Sequence, residues 1–451
     1  MKIKSVGISA LVAGAAMLSG CGSDSGSSND SSFLTYYNLS SDVAQVELYY
    51  DDSLVTSVSY ENKSTRQTLP AGSETIALKT EEAGDVTKTL YESELDLGKD
   101  KRNYLISVGE LANGDEPLLF TYESRDLDDE EFEFNLIHLA KDFGDTVTIK
   151  FIENEDNELI ETFTLAYGES LTETLEGDTY YIQVEDSQGE VLYTSPDATF
   201  IDEIQYYFVL KNETLNSDKI LTMARLVDSF TSPTVYRDES LNSFFRYYNS
   251  AESLGQTQLT LTKGATTEQL DPQDPDSLPE LSTELTAGTY KVVLSGSSIN
   301  GALYNFSAGQ DTTLVFYRDE DGKLDDVSFN NTERPSTTNH QVTFVNLLNN
   351  QGDDEVDIYF VASDASFETT SYRITNTELS DVARIALPSD YYDIYVAIDD
   401  GEGAPRVIAE ELNVHFSTDA EAGDWIIFAE PASDTDTPVE GSPSVINRVA
   451  M

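Results

Sequence analysis

Sulfur chemistry is almost absent from this chain: its 451 residues include one cysteine, Cys21. With no second thiol there is no intrachain disulfide and no cysteine pair for a zinc site. Histidine is scarce too. His138, His340 and His415 fall in an opening strand, a linker and the fourth domain, without metal-ligand spacing, and read as structural or exposed. Basic residues number 26 against 83 acidic ones, a formal net charge of −57. Phosphate binding needs a basic patch, so nucleic acid is excluded as a partner. No Gly-x-Ser-x-Gly elbow or phosphate-cradling glycine loop occurs. Carboxylates are so common that no pair of them signals acid–base catalysis. The chain reads as no enzyme.

What is present begins at the N-terminus. Lys2 and Lys4 precede an apolar run of 12 residues, Val6 to Met17, and then Leu18-Ser19-Gly20-Cys21. A membrane-spanning helix needs about 20 apolar residues, so the run is too short to span. It has the three parts of a secretory signal: a positive start, an apolar middle and small residues before a cut. An ordinary signal peptide that happens to hold a cysteine is the plain alternative. The tetrapeptide resembles the lipobox of bacterial lipoproteins, which implies cleavage before Cys21 and lipidation of its thiol and amine. The lipid is then the chain's contact with a membrane. Gly22 follows where inner-membrane lipoproteins carry aspartate, so the resemblance implies the cell outer membrane, with a periplasmic or surface-facing body. Residues Gly22 to Ser32, GSDSGSSNDSS, read as a flexible tether.

Removing residues 1–20 takes away two lysines and no acids, leaving a mature charge near −59 (24 − 83). Two readings of this acidity stand side by side. One is a cation-binding surface. The other is solvation, in which repulsion keeps an exposed protein soluble and monomeric, above all in salt. The 20 phenylalanines and 25 tyrosines, set in short strand-like runs, argue against disorder.

One segment occurs four times: LPAGSETIAL from Leu69, LEGDTYYIQV from Leu175, LTAGTYKVVL from Leu285 and LPSDYYDIYV from Leu387. The leading leucines are 106, 110 and 102 residues apart. Each copy is an apolar residue, a tight polar turn and a strand. Gly72, Gly177 and Gly288 sit in the turn, with Ser389-Asp390 in the last copy, where φ > 0 is expected. An opening strand ending in Asn or His precedes each copy: Phe33 to Asn38, Glu133 to His138, Phe244 to Asn249 and Val342 to Asn346. Further strands follow in constant order, such as those from Val46, Val147, Leu259 and Val356, and those from Tyr104, Tyr206, Thr313 and Trp425.

A period near 100 residues is a domain length. Six or seven short strands per unit, with polar turns, predict four tandem immunoglobulin-like antiparallel β-sandwich domains. They span residues 33–125, 132–230, 243–330 and 341–451, after a signal peptide over 1–20 and a lipidated tether over 21–32. The polar stretches Asp126 to Glu131, Thr231 to Asn242 and Asn331 to His340 are the expected boundaries. In Val46-Glu47-Leu48 and Val356-Asp357-Ile358 apolar and polar residues alternate, which predicts one buried and one wet face per sheet. Four domains of this size in line would form a rod on the order of 130 Å long.

The run from Phe33 to Val58 followed by LPAGSETIAL resembles a bacterial domain-of-unknown-function family found in tandem in surface lipoproteins. Shared features are the opening strand ending in Asn38, His138, Asn249 or Asn346, the Val356-Asp357-Ile358-Tyr359 strand, and the turn Leu285-Thr286-Ala287-Gly288-Thr289-Tyr290. The resemblance implies a fold and a surface context. It carries no catalytic residues.

One calcium candidate stands out. Asp319-Glu320-Asp321-Gly322-Lys323-Leu324-Asp325-Asp326 sets acids around a glycine, with Asp319, Asp321 and Asp325 as the expected ligands, though it is short of the twelve-residue loop. Trp425 begins a recurrent strand and reads as packed rather than as a sugar platform. The expectation is a membrane-anchored envelope lipoprotein acting as a structural, display or adhesion rod, with an unknown protein or glycan partner. The alternative is a glycan-, peptide- or calcium-binding accessory module of an uptake or secretion system.

Overall fold

The structure, a computed structural model, describes residues 30–82, 86–124, 126–216, 218–279, 281–331, 339–348, 355–363, 365–367, 369–399, 405–416, 425–431 and 444–450. The expected signal segment, Cys21 and residues 22–29 of the expected tether lie outside them. Ser31 and Ser32, read from sequence as tether, already belong to the first strand. Ser32 is fully buried there and donates to the carbonyl of Lys101 at 3.3 Å.

The first unit has eight strands: β1 (Ser31–Ser40), β2 (Gln45–Tyr50), β3 (Ser53–Ser59), β4 (Gln67–Pro70), β5 (Gly72–Glu82), β6 (Val86–Leu97), β7 (Lys101–Gly109) and β8 (Leu118–Glu123). They form two sheets, ordered β4-β1-β7-β8 and β3-β2-β5-β6. Leu34, Tyr36, Val46, Leu48, Ile76, Leu78 and Leu105 meet between the sheets as the core. Neighbouring strands are antiparallel, except that β1 runs parallel to β7.

The same order recurs three times. The opening strands Glu131–Leu139, Asn242–Asn249 and Asn339–Asn346 each lie parallel to a late strand of their unit, Gln205–Leu215, Asp311–Arg318 and Trp425–Pro431. The chain is thus four tandem β-sandwiches, antiparallel but for one parallel pair in each. Eight strands in sandwiches 1, 3 and 4, and ten in sandwich 2, replace the expected six or seven, in part because the repeated leucine occupies a short edge strand of its own. Leu69, Leu175, Leu285 and Leu387 lie buried in strands Gln67–Pro70, Ser170–Glu176, Thr283–Thr286 and Val382–Pro388. The polar turn then carries the chain across to the second sheet.

That crossing has a recurrent clamp. In the last three copies a tyrosine five residues after the leucine donates its hydroxyl back to the carbonyl of the residue just after the leucine. The bonds are Tyr180 to Glu176 (2.8 Å), Tyr290 to Thr286 (2.7 Å) and Tyr392 to Pro388 (3.0 Å). Sandwich 1 has Glu74 at this position. Positive φ is needed in two copies only, at Gly72 (133°) and Gly288 (140°). Gly177 has no positive φ, and a Cβ there would fall 1.7 Å from a carboxylate oxygen of the exposed Asp202, which would have to swing aside. In the fourth copy Asp390 instead accepts from the amide of Tyr391 at 2.7 Å, and neither it nor Ser389 takes a positive φ.

The opening sheets depart from the expected wet outer face. Tyr36 points into the core of sandwich 1, and Tyr37, its neighbour on the strand, points out and is equally buried. Tyr37, Leu39, Tyr104 and Ile106 pack against Ile137, Leu139, Tyr207 and Val209 of sandwich 2. Sandwiches 3 and 4 repeat this, with Tyr248, Val315 and Tyr317 against Val345, Leu347, Ile426 and Phe428. Full burial of one such side chain contributes about 1.5–3 kcal/mol, so each interface is a second core.

Chain direction explains the stacking. Phe33 pairs with Arg102 and Glu123 pairs with Lys101, so sandwich 1 ends where it began. Sandwich 3 does the same, through Phe244 with Asp311 and Asn330 with Thr312. A short connection from such an end lays the next sandwich alongside. The expected in-line rod is therefore corrected to two side-by-side pairs. The stretch expected as the second boundary differs as well. Thr234–Arg237 is a strand that extends the opening sheet of sandwich 2, pairing Thr234 with Arg225 and Arg237 with Thr222. It carries the chain back towards the opposite end before sandwich 3 begins.

Candidate functional site

The expected calcium ligands form a hairpin turn. The Asp319 side chain accepts from the amides of Asp321 (3.0 Å) and Lys323 (2.7 Å), and the Asp319 amide donates to the Lys323 carbonyl (2.7 Å). Gly322 takes φ 71°. Asp321 pairs with the Lys323 amine at 2.6 Å, and Asp325 is an exposed strand residue opposite Tyr317. Among the described residues no group of three or more His, Cys, Asp or Glu is placed to hold a metal. Asp319 caps the turn and Asp321 faces an ammonium, so the turn is accounted for without an ion.

The Asn or His at or near the end of each opening strand has one role throughout. Its side chain accepts the amide two residues on: Ser40 to Asn38 (3.1 Å), Ala140 to His138 Nδ1 (3.3 Å), Ala251 to Asn249 (3.1 Å) and Leu348 to Asn346 (3.0 Å). His138 Nε2 lies 3.3 Å from the Gly144 carbonyl. Nδ1 must accept and Nε2 must donate, so this imidazole is neutral, and burial pushes its pKa down. His340, expected in a linker, lies instead in the opening strand of sandwich 4, fully buried and 2.9 Å from the Ser389 hydroxyl. His415 stacks on Tyr391 at 4.1 Å. Trp425 is half-buried and meets Phe416 edge-on at 5.5 Å.

Polar chemistry gathers where sandwiches meet. The buried Lys211 amine bridges to Glu61 of sandwich 1 at 2.5 Å. Lys63 is buried beside the same junction. Its amide donates to the Thr231 carbonyl at 2.8 Å, and burial pushes its amine down to about 8. Between sandwiches 3 and 4 the Tyr248 hydroxyl donates to Glu430 at 2.6 Å, and Asn447 donates to the same carboxylate. Burial pushes the Glu430 carboxyl up.

One rim of the first pair opens into a groove of about 450 Å³, lined among others by Arg102, Ile204, Tyr206, Tyr207, Arg225 and Asp228. A single oxygen of Asp228 receives Arg102 (2.7 Å) and Arg66 (2.9 Å). The Arg225 guanidinium lies 4.5 Å from the Tyr206 ring centroid, and Arg102 5.5 Å from that of Tyr207. Sequence reasoning missed this cluster. Arg66 and Arg102 lie 162 and 126 residues from Asp228 along the chain. The usable signal was the doubled aromatics Tyr36-Tyr37 and Tyr206-Tyr207, which mark strands buried on both faces.

Residues 32–149 match a family described as a domain of unknown function, DUF4397. The match takes in sandwich 1 and runs into the second strand of sandwich 2, Thr146–Glu153. No curated protein matches the sequence. Among solved structures, the Bacillus anthracis TIE protein is similar at 11% identity and a TM-score of 0.16, over 88% of this chain and 67% of that one. The pilus adhesin SpaC from Lactobacillus rhamnosus GG is similar at 13% identity and a TM-score of 0.19, over 93% of this chain and 56% of that one. Likeness at these scores carries no argument about activity or partners.

Proposed function

We propose that this chain is a lipid-anchored envelope protein, held to the outer membrane through Cys21, that presents a fixed surface for adhesion or assembly and catalyses nothing. The observation that supports this reading most is the use of both faces of every opening sheet. Apolar surface that could have lined a pocket is spent on fixing one sandwich against the next. The product is a body of set shape, which suits display. The signal-like N-terminus and the lipobox resemblance supply the anchor.

Labelling of cells with radioactive palmitate tests the anchor. Native chain is expected to take up label and fractionate with the outer membrane, and Cys21→Ser to do neither. A labelled, membrane-bound Cys21→Ser protein defeats the reading. Protease treatment of intact cells separates the two sides of the membrane: digestion supports surface display, and complete resistance removes the adhesion role. A second reading, a ligand-binding accessory module, is favoured by the arginine-lined groove of the first pair.

A further inference from the structure

The joint inside each pair of sandwiches and the contact between the two pairs are built differently. Among the described residues every buried apolar cluster lies wholly within residues 34–236 or wholly within residues 245–446, so none crosses from the first pair to the second. The pairs nevertheless face each other. A cavity of about 250 Å³ is lined, among others, by Gln45, Glu47 and Glu81 of sandwich 1 and by Ser371 and Tyr372 of sandwich 4. A second, of about 120 Å³, is walled by residues of all four sandwiches, including Glu61, Glu213, Arg237, Gln310, Asn331 and Arg384. The seam between the pairs is therefore space between largely polar side chains, where the joint within a pair is a packed core. Opening such a seam bares little apolar surface. Domains move relative to one another by default unless their interface is large and hydrophobic.

The chain crosses from one pair to the other once, and the crossing is short. The Asp238 carboxylate accepts the amides of Thr194 (2.8 Å) and Ser240 (2.7 Å), which ties it to sandwich 2. Glu239 and Ser240 are exposed, and sandwich 3 begins at Asn242. Charge then acts across the seam. Residues 22–240 hold 47 acidic and 14 basic side chains, and residues 241–451 hold 36 and 10. The halves carry about −33 (14 − 47) and −26 (10 − 36), and they repel each other. Salt sets the reach of that repulsion: about 30 Å at 0.01 M, on the order of the width of a sandwich, but about 3 Å at 1 M. We infer that the molecule is a salt-gated hinge, two rigid pairs that lie together when their charge is screened and swing apart about residues 239–241 when it is not. The set shape of the display reading then belongs to each pair, and the span between the pairs varies. This goes beyond the display reading and is independent of the lipid anchor.

Single-molecule energy transfer on the mature chain tests it, with Cys21→Ser so that only introduced cysteines take dye. One dye pair spans the seam, at the exposed positions Ser57→Cys and Thr266→Cys of sandwiches 1 and 3. The control pair stays within the first half, at the exposed Ser57→Cys and Gln188→Cys. Sodium chloride is lowered from about 1 M to about 0.01 M. Transfer across the seam is expected to change and transfer within the half to stay constant, while small-angle scattering of the unlabelled chain shows a radius of gyration larger by on the order of 5 Å at low salt. A melting temperature equal to that of the unlabelled chain shows that each variant is folded. A radius of gyration that does not move with salt overturns the inference, because the seam is then rigid. A change of equal size in the control pair overturns it too, because the sandwiches of one pair are then parting. So does magnesium chloride that closes the seam where sodium chloride of equal ionic strength does not, which assigns closure to bridging by a bound cation. Palmitate labelling of Cys21 is unaffected by any of these results, so the two readings fail separately.

Discussion

Tyr248 of sandwich 3 lies flat on Phe428 of sandwich 4, ring centroids 3.9 Å apart and planes 8° from parallel. Both residues point away from their own cores, and both are fully buried. An aromatic pair thus joins two neighbouring sandwiches through residues far apart in sequence. Phe428→Ala is expected to destabilise the second pair by about 3–5 kcal/mol, as for aromatic truncation in a core. Denaturant unfolding of the full chain checks this. A loss below about 1 kcal/mol would mean that the two sandwiches are merely adjacent.

The Tyr248 hydroxyl donates to Glu430, whose carboxyl burial pushes up. Its folded pKa is above its unfolded one, so the folded state holds the proton more tightly. That contribution is complete below the unfolded pKa and is lost as pH rises through the folded pKa. Glu430→Gln stays neutral at every pH. Melting temperatures of the two proteins should therefore diverge as pH rises from 4 to 7, with the variant gaining. A constant difference across that range would remove Glu430 as the cause.

His138 has the opposite sign. Burial pushes its pKa down, so the folded state binds its proton less well than the unfolded chain does. Stability should fall as pH drops below the unfolded value of about 6.5. Asparagine performs the same hydrogen bond at Asn38, Asn249 and Asn346, so His138→Asn is expected to fold and to lose this acid sensitivity. Urea unfolding at pH 7 and pH 5 decides it. Equal pH dependence in both proteins would contradict the neutral assignment.

The tyrosine clamp gives a graded expectation. Tyr290→Phe or Tyr392→Phe removes only the hydroxyl bonded to Thr286 or Pro388, at a cost of about 0.5–1.5 kcal/mol each. The two lie in different sandwiches, so the costs should add. A double variant that departs from the sum by more than about 1 kcal/mol would show that the two clamps are energetically coupled.

Much of the fold was legible because it repeats. The leucine, the polar turn and the strand after it stay in order through four copies, and each maps to an edge strand, a crossing and a strand of the second sheet. The outer face of the opening sheet was misread for a local reason. Alternation was judged from Val46-Glu47-Leu48, in a second-sheet strand with one wet face, and from Val356-Asp357-Ile358, where Asp357 is in fact buried and accepts from the Tyr359 hydroxyl and the Asn376 amide, whereas Tyr36-Tyr37 and Tyr247-Tyr248 lie in strands covered on both sides. Two large aromatics in succession on one strand cannot share a face. The groove was not legible in this way. Arg66 and Arg102 belong to sandwich 1 and Asp228 to sandwich 2, and only the stacking of the two sandwiches brings them together.

The start and end of each sandwich at one end of its sheet have a mechanical consequence. A pull between Phe33 and Glu123 acts sideways on β1, β7 and β8 at the ends where those strands meet. The backbone bonds there are loaded one after another, as in a zipper, and do not share the tension as they would if the strands were drawn lengthwise past each other. Such a sandwich yields to modest force by stepwise peeling, and its resistance comes from the neighbour stacked on its outer face. Each pair is therefore the element that bears load, and a single sandwich cut free from its partner would be the softer one.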